Sequence, residues 1–465
     1  MADPPDVHLR RLLGDLGLDA ESVAGGLSVG GFDHPELSPH RLGTAAAVAL
    51  AAFGAGAASI WKLRSGRAQS VECSATSALA ALRCYQYVRQ NGRLIALDHR
   101  SPLMGFHRTR DHRFIHITAR HVLPRFLDAS LDLLGCSHTF EDVAEAISGW
   151  DAQVLEERLG ARRVPASVAR SAGEWRSHPQ GRILSATKVV EVDQIGPSAS
   201  EPFKDGARPL SGVRVLDLSH VICGPMIART LAAAGAEVLR VNNPYEHEEE
   251  AILIDTGWGK RSAYCDLASA DDVEALADLV RAADVVVQSW RPGALARRGF
   301  GATEVARLRP GIVYVSVSCF GASGPWSGRG GYDPTAMAAS GIAVDEGLEG
   351  VPTMPVTGTL NDYLAAYLGA AGVVAALAHR AEGGGSHHVG VALARSSMWL
   401  QDMGMCRSAR RSEWIEPVRP ELVSLDGPYG RVETLGLPIA FGETPTFWDR
   451  PPEPPGASPL AWLEQ

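Results

Sequence analysis

The chain reads as an α/β protein, with a Rossmann-like parallel sheet in its larger, later part and a smaller α+β unit before it. Three observations lead there. From residue 213 onward, short runs rich in Val and Ile alternate with helical stretches, the pattern of strands buried on both faces by helices. Residues 1 to 205 lack that alternation and carry a hairpin pattern instead. Between the two lies QIGPSASEPFKDGARPLSG, residues 194 to 212, whose Pro, Gly and Ser mark a linker. The expected units are therefore 1–205 and 206–465.

In the later unit the strands are Val213 to Leu218, Glu237 to Val241, Asp284 to Gln288 and Ile312 to Val317. The last, IVYVSV, is the most strand-like by composition. Helices are expected from Pro225, over Asp271 to Ala283, and near Thr303 to Leu308. In the earlier unit, GFHRTRDHRFIHI from Gly105 to Ile117 predicts a hairpin with its polar turn at Arg110 to Arg113, followed by helices through about Arg163. The Ala/Gly-rich stretch Ala45 to Ile60 is shorter than the roughly 20 residues that span a bilayer, so a closely packed buried helix is expected.

The two units share a repeat. Setting Gly66 on Gly384, an offset of 384 − 66 = 318, aligns an Ala-rich helix, a Gly-containing turn, a short strand and another apolar helix. Two Ala-rich helices can also look alike by chance.

Composition narrows the function. At 465 residues the chain has room for two or three cores, and 45% apolar with 21% charged residues is ordinary globular usage. A net charge of −9 argues against nucleic-acid binding, which needs clustered Lys and Arg, and leaves room for a local basic pocket. Seven cysteines without a CxxC pair predict reduced thiols, no disulfide framework and no metal. The N-terminal MADPPDVHLRRLL lacks a secretory plan, so a cytoplasmic protein that does not engage a membrane is expected.

Three segments carry chemistry. SHVICGPMIART places Cys223, Gly224 and Pro225 at a helix start, where free backbone amides receive a phosphate or a carbonyl; an ordinary tight turn has the same sequence. It is not GxGxxG, so a nicotinamide or flavin site is poorly supported. Lys260, Arg261, Arg291, Arg297 and Arg298 put cations on loops at the expected ligand edge of the sheet, suited to an anionic nucleotide, although each alone reads as a surface charge. Trp290 is placed to stack on an adenine or to plug a core. Asp362 stands just ahead of a long apolar helix, where free amides and the dipole favour an ionised carboxylate. Taken locally, it caps the helix or it reacts.

In order and spacing these segments resemble the family III CoA-transferases of the CaiB/BaiF type, which include carnitine CoA-transferase and formyl-CoA transferase. The resemblance is carried by LSGVRVLDLSHVICGP, LAAAGAEVLRV, GKRSAYCDL, ADVVVQSWRPGALARRGF, RPGIVYVSVSCFGASGP, GYDPTAMAASG and TGTLNDYLAAYLGAAGVVAAL, between Leu210 and Leu377. RSGRAQSVECS, the hairpin and EWRSHPQGRILSATKVVEV resemble a later portion of the same family. The chain thus looks like a rearranged tandem, with a first copy lacking its nucleotide-binding front. Thr44 stands at the first-copy position of Asp362 (362 − 318 = 44), so one active site per chain is expected.

The resemblance implies that Asp362 is the nucleophile in CoA transfer between an acyl-CoA and a carboxylic acid, through an aspartyl anhydride and an aspartyl-CoA thioester. It implies backbone amides near Asp362 for the oxyanion. It also implies adenine and phosphates near Ile222, Cys223, Ser289, Trp290, Arg297 and Arg298, with Arg240, Lys260 and Tyr332 along the pantetheine path. Asn242, Asn243 and Ser289 depart from the usual family residues. A homodimer is expected, its interlocking left open by the altered order. Two rivals stand: an enzyme resembling α-methylacyl-CoA racemase, which needs two bases where this chain has Tyr332 before Asp333, and a non-catalytic CoA-binding scaffold. Donor and acceptor acids are not legible.

Overall fold

The computed structural model describes residues 3–464 apart from 19–22, 24, 96, 98, 99, 121 and 407–419. Its centre is a seven-stranded sheet in the order Lys260–Tyr264, Glu237–Asn242, Arg214–Asp217, Val285–Gln288, Val313–Ser318, Ser386–Ala392, Val190–Gly196. The first six strands are parallel and the last is antiparallel. Strand order reverses between Arg214–Asp217 and Val285–Gln288. The loops after these two strands therefore flank the crevice where such sheets take ligands.

Alternation within the strands decides which helices cover which face. Val215, Val285, Val287, Val313 and Val389 face a core shared with the helices Cys223–Ala233 and Asn361–Gly383. Leu216, Leu239, Val286 and Tyr314 face the other core, under Ala270–Arg281 and Ala302–Leu308. The doubly covered parallel sheet expected from sequence is present.

The repeat is real in three dimensions. A second, three-stranded sheet pairs Leu27–Gly30 with Val71–Ser74 in parallel and adds Ile439–Phe441 antiparallel. That reproduces the arrangement of Val313–Ser318, Ser386–Ala392 and Val190–Gly196. Each set is closed by a strand from the other part of the chain: Val190–Gly196 follows the earlier unit but completes the later sheet, and Ile439–Phe441 does the reverse. The unit boundary along the chain is therefore crossed in space.

The matching helices, Leu42–Ser65 and Asn361–Gly383, pack against each other at the centre. Small residues allow the approach: a Cβ on Gly56 would lie 2.3 Å from the Val374 side chain. The upstream helix has 24 residues, longer than the expected Ala45 to Ile60. By length and composition both helices could cross a membrane, but 94% and 89% of their apolar stretches are buried in the protein, as in core helices.

The expected hairpin is formed by Gly105–Arg108 and Phe114–Ile117, extended by Ala166–Val168. Three helices, Pro124–Leu134, Phe140–Ser148 and Ala152–Ala161, close a separate small core around Ile115, Ile117, Val143 and Leu155. Lys260 and Arg261 correct an expectation: they begin a strand at its N-terminal end and do not lie on a loop at the ligand edge.

Candidate active site

A cleft of about 770 Å³ opens between the small domain and the sheet. Leu97, Met104, Val122 and Leu123 line it from the earlier unit, and Val221, Ile222, Tyr332 and Asp362 from the later one. Neither unit forms it alone.

Asp362 is the second residue of Asn361–Gly383, 8% exposed, and faces this cleft. Its helix is capped by another carboxylate. Asp333, fully buried at the start of Asp333–Ser340, accepts the amides of Leu360, Asn361 (2.9 Å) and Asp362 (3.4 Å), and Asn361 Nδ2 at 2.7 Å. Ser397 donates to Asn361 Oδ1 at 3.0 Å and fixes that side chain.

The two acids therefore differ in support. Asp333 has four N–H donors, whereas no donor among the described residues reaches the Asp362 carboxylate. Burial, and then the charge of Asp333, push the Asp362 carboxyl well above the usual carboxylate range. This corrects the expectation that free amides hold Asp362 ionised and remain available for an oxyanion. Those amides are already bound to Asp333.

Val221 is a feature the sequence did not announce. Its φ of 64° places a β-branched residue in the left-handed region, a costly conformation that surrounding contacts must hold. Its amide donates to Glu248 Oε1 at 2.8 Å, and Glu248 also pairs with Arg240. The strain presents Ile222 to the cleft at the start of the helix Cys223–Ala233. Thr359 also lines the cleft, and its buried hydroxyl has no partner among the described residues.

Of the residues expected in the site, Ile222, Tyr332 and Asp362 are brought together in the cleft wall. Tyr332 packs edge-on against Phe126 of the small domain, with ring centroids 6.4 Å apart. Burial raises its phenol, against the lowering charges of Arg125, Arg291 and Arg120.

Others lie behind or beside that wall. Cys223 is buried, and burial followed by the Asp362 and Asp333 charges pushes its thiol well up, so it is an inert core thiol. Arg240 and Lys260 are 2% and 1% exposed and do not line the cleft. Arg240 is occupied by Glu248 and Thr256, and Lys260 by Asp217 (2.8 Å) and the Pro225 carbonyl (2.6 Å). Burial presses the Lys260 ammonium down to about 8 against the Asp217 charge.

Ser289 and Trp290 sit at the strand-order reversal. Ser289 Oγ accepts the His220 amide at 3.0 Å, and Trp290 Nε1 donates to the Leu218 carbonyl at 2.7 Å. The Trp290 ring leans on His220, 4.9 Å between centroids, and lines a second cleft of about 780 Å³. Arg297 and Arg298 are exposed on the same loop, and Arg298 donates to the Leu267 carbonyl at 2.8 Å.

Sequence reading missed Asp333 as the helix cap, Val221, and a pair across the cleft: Arg120 donates to both Glu249 oxygens, at 2.8 and 3.2 Å. GYD did mark Asp333; nothing local marked Arg120, because its partner is 129 residues away. All seven cysteines are free thiols, and no cluster of three potential metal ligands occurs among the described residues.

The sequence pattern of CoA-transferase family III matches residues 210–421. Residues 210–421 of the chain thus belong to that family's pattern. An acetyl-coenzyme A transferase of Hypoxylon pulicicidum is 33% identical over 339 residues, covering 67% of this chain and 56% of that protein. The succinyl-CoA–L-malate CoA-transferase alpha subunit of Chloroflexus aurantiacus is 29% identical over 243 residues, 47% of this chain and 53% of that subunit. A CAIB/BAIF family protein from Brucella suis, solved by crystallography, has 26% identity over 43% of this chain and 55% of that one, with a TM-score of 0.39. The chain spans about half the length of the curated relatives it matches. The family III match includes Ile222, Tyr332 and Asp362, and excludes the wall from Leu97 to Leu123.

Proposed function

We propose that this family III protein transfers CoA from an acyl-CoA to a carboxylic acid, with Asp362 as the nucleophile. The observation that carries the reading is a carboxylate that no donor among the described residues reaches, facing a cleft at the ligand edge of a Rossmann-like sheet.

An Asp362 oxygen attacks the thioester carbonyl, the C–S bond breaks, and CoA leaves as thiolate from an aspartyl-acyl anhydride. The thiolate attacks the aspartyl carbonyl of the anhydride, freeing the first acid and leaving an aspartyl-CoA thioester. The acceptor carboxylate then attacks that thioester, and the returning thiolate takes the acceptor acyl group and restores Asp362. An unsupported carboxylate suits this cycle because it loses little on becoming an anhydride. For the oxyanions, the Thr359 hydroxyl, without a partner among the described residues, and the first amides of Cys223–Ala233 beside Ile222 are the candidate donors. The nucleotide half of CoA is assigned to the reversal, near Ser289, Arg297 and Arg298, with the pantetheine arm passing Tyr332.

Proton exchange at an α-carbon is less well served. Asp333, the nearest second carboxylate, is fully buried and fixed to four N–H groups, so it is not a free base.

The test is interception. With an acyl-CoA and hydroxylamine, the peptide containing Asp362 should gain a hydroxamate, detected by mass, and transfer activity should fall in step. Transfer without modification of Asp362 rejects the covalent route. Washout of α-deuterium without an acceptor points to the racemase.

A further inference from the structure

The walls of the Asp362 cleft are as informative as its nucleophile. Half of the sixteen described residues that line the cleft are aliphatic, Met or Pro. Leu97, Met104, Val122 and Leu123 of the small domain line it together with Ile252 and Pro334.

Apart from Asp362 and the exposed His247, the charged groups in the wall already have partners. Arg120, 13% exposed, holds both oxygens of Glu249, itself 17% exposed. Glu248 is taken by Arg240 and the Val221 amide. His247 is exposed. Arg125 and Arg291, whose charges act on the Tyr332 phenol, are not among the lining residues. Among the described residues, no guanidinium or ammonium in the wall is without a carboxylate partner.

From this we infer that the acids handled beside Asp362 are apolar monocarboxylic acids and not short dicarboxylates. The inference rests on the CoA-transfer reading above and names its substrate class. Among the described residues a second carboxylate entering this cleft loses water and meets no open guanidinium or ammonium, and burying an unpaired charge is strongly disfavoured. Taking Arg120 for itself, it strands Glu249, and it also meets the charges of Glu248 and Asp362. An alkyl chain gains where it meets the apolar half of the wall, about fourfold in affinity per buried methylene. The Chloroflexus relative, by contrast, is named for succinate and malate.

The experiment compares hexanoate, acetate and succinate as acceptors from acetyl-CoA, using isotope-labelled acetate and the full chain, with each acyl-CoA product quantified by mass. Hexanoate should exceed succinate in kcat/KM by about a hundredfold or more, and exceed acetate on the same scale, from four added methylenes. Leu123→Ala and Met104→Ala should each cut the hexanoate-to-acetate ratio roughly tenfold. Parity between hexanoate and succinate, preference for succinate, or unchanged ratios in both variants overturns the inference. If no acid is converted and Asp362 takes no hydroxamate, the transfer reading falls separately. Calorimetric binding of hexanoyl-CoA against succinyl-CoA then decides substrate class alone: tighter hexanoyl-CoA binding supports it, and equal or weaker binding rejects it.

Discussion

The starts of the two central helices repeat one device to different ends. Upstream, Asp33 accepts the Thr44 amide at 2.8 Å and the Thr44 hydroxyl at 2.6 Å, while Arg41 donates to Asp33 at 3.2 Å. Downstream, Asp333 accepts the amides at Leu360, Asn361 and Asp362. In both, a carboxylate from a preceding segment caps the helix that builds the centre of the molecule. At the upstream end the side chain in the repeat position returns to the cap and is 1% exposed. At the downstream end it turns away into a cleft, with no donor to it among the described residues. The cap serves folding in both places, and only the downstream side chain is left facing a cleft.

The largest break in that comparison comes from removing the leftover group. Asp362→Ala should lower CoA transfer about a thousandfold or more, as loss of a covalent nucleophile does, with the circular dichroism spectrum unchanged. A variant retaining a tenth of the rate would place the nucleophile elsewhere.

The caps provide the next contrast. Asp333→Ala and Asp33→Ala should each cost about 1–2 kcal/mol in denaturant unfolding, the worth of a lost helix cap. Only Asp333→Ala should also reduce transfer, by roughly a hundredfold, because Asp362 shifts from its attacking position. Equal activity loss in both variants would make the effect a general consequence of destabilisation.

Building the downstream residue into the upstream end is a smaller change. Thr44→Asp should leave a single hydroxylamine-reactive position, since Leu42–Ser65 starts in packed protein. It should destabilise the chain by about 1–3 kcal/mol, because a second carboxylate meets Asp33 in place of a hydroxyl donor. A second modified peptide at residue 44 would show that an open site survives there.

These contrasts also show what the sequence could tell. The parallel sheet was legible because VVVQ and IVYVSV are Val/Ile-rich runs alternating with helical stretches, and the repeat offset of 318 did align the two helices and the strands after them. Asp362 was legible as a helix-start carboxylate, but its environment was read with the wrong sign. Local sequence shows free amides at a helix start and cannot show that Asp333, 29 residues earlier, already binds them. Lys260 and Arg240 misled similarly: a cation in sequence carries no mark of the buried carboxylate that will neutralise it. The exchange of Val190–Gly196 and Ile439–Phe441 was likewise hidden, because strand pairing across the chain is a tertiary choice.

The smallest effect tests the difference in support most directly. Burial, then Asp333, raises the native Asp362 carboxyl above its unfolded value near 3.9. Between those two values the folded chain holds a proton that the unfolded chain has released. Stability contributed at this site therefore declines as pH rises from about 4 toward the raised native value, and the deficit persists above it. Asp362→Asn removes the titration, so its melting temperature should match wild type near pH 4 and exceed it at pH 7.5, the gap widening in between. Thr44→Val, which breaks an uncharged donor's bond to Asp33, should instead lose stability by an amount nearly constant over that range. A wild type at least as stable as Asp362→Asn at pH 7.5 would mean that Asp362 has the support Thr44 has, and the two helix starts would no longer differ in kind.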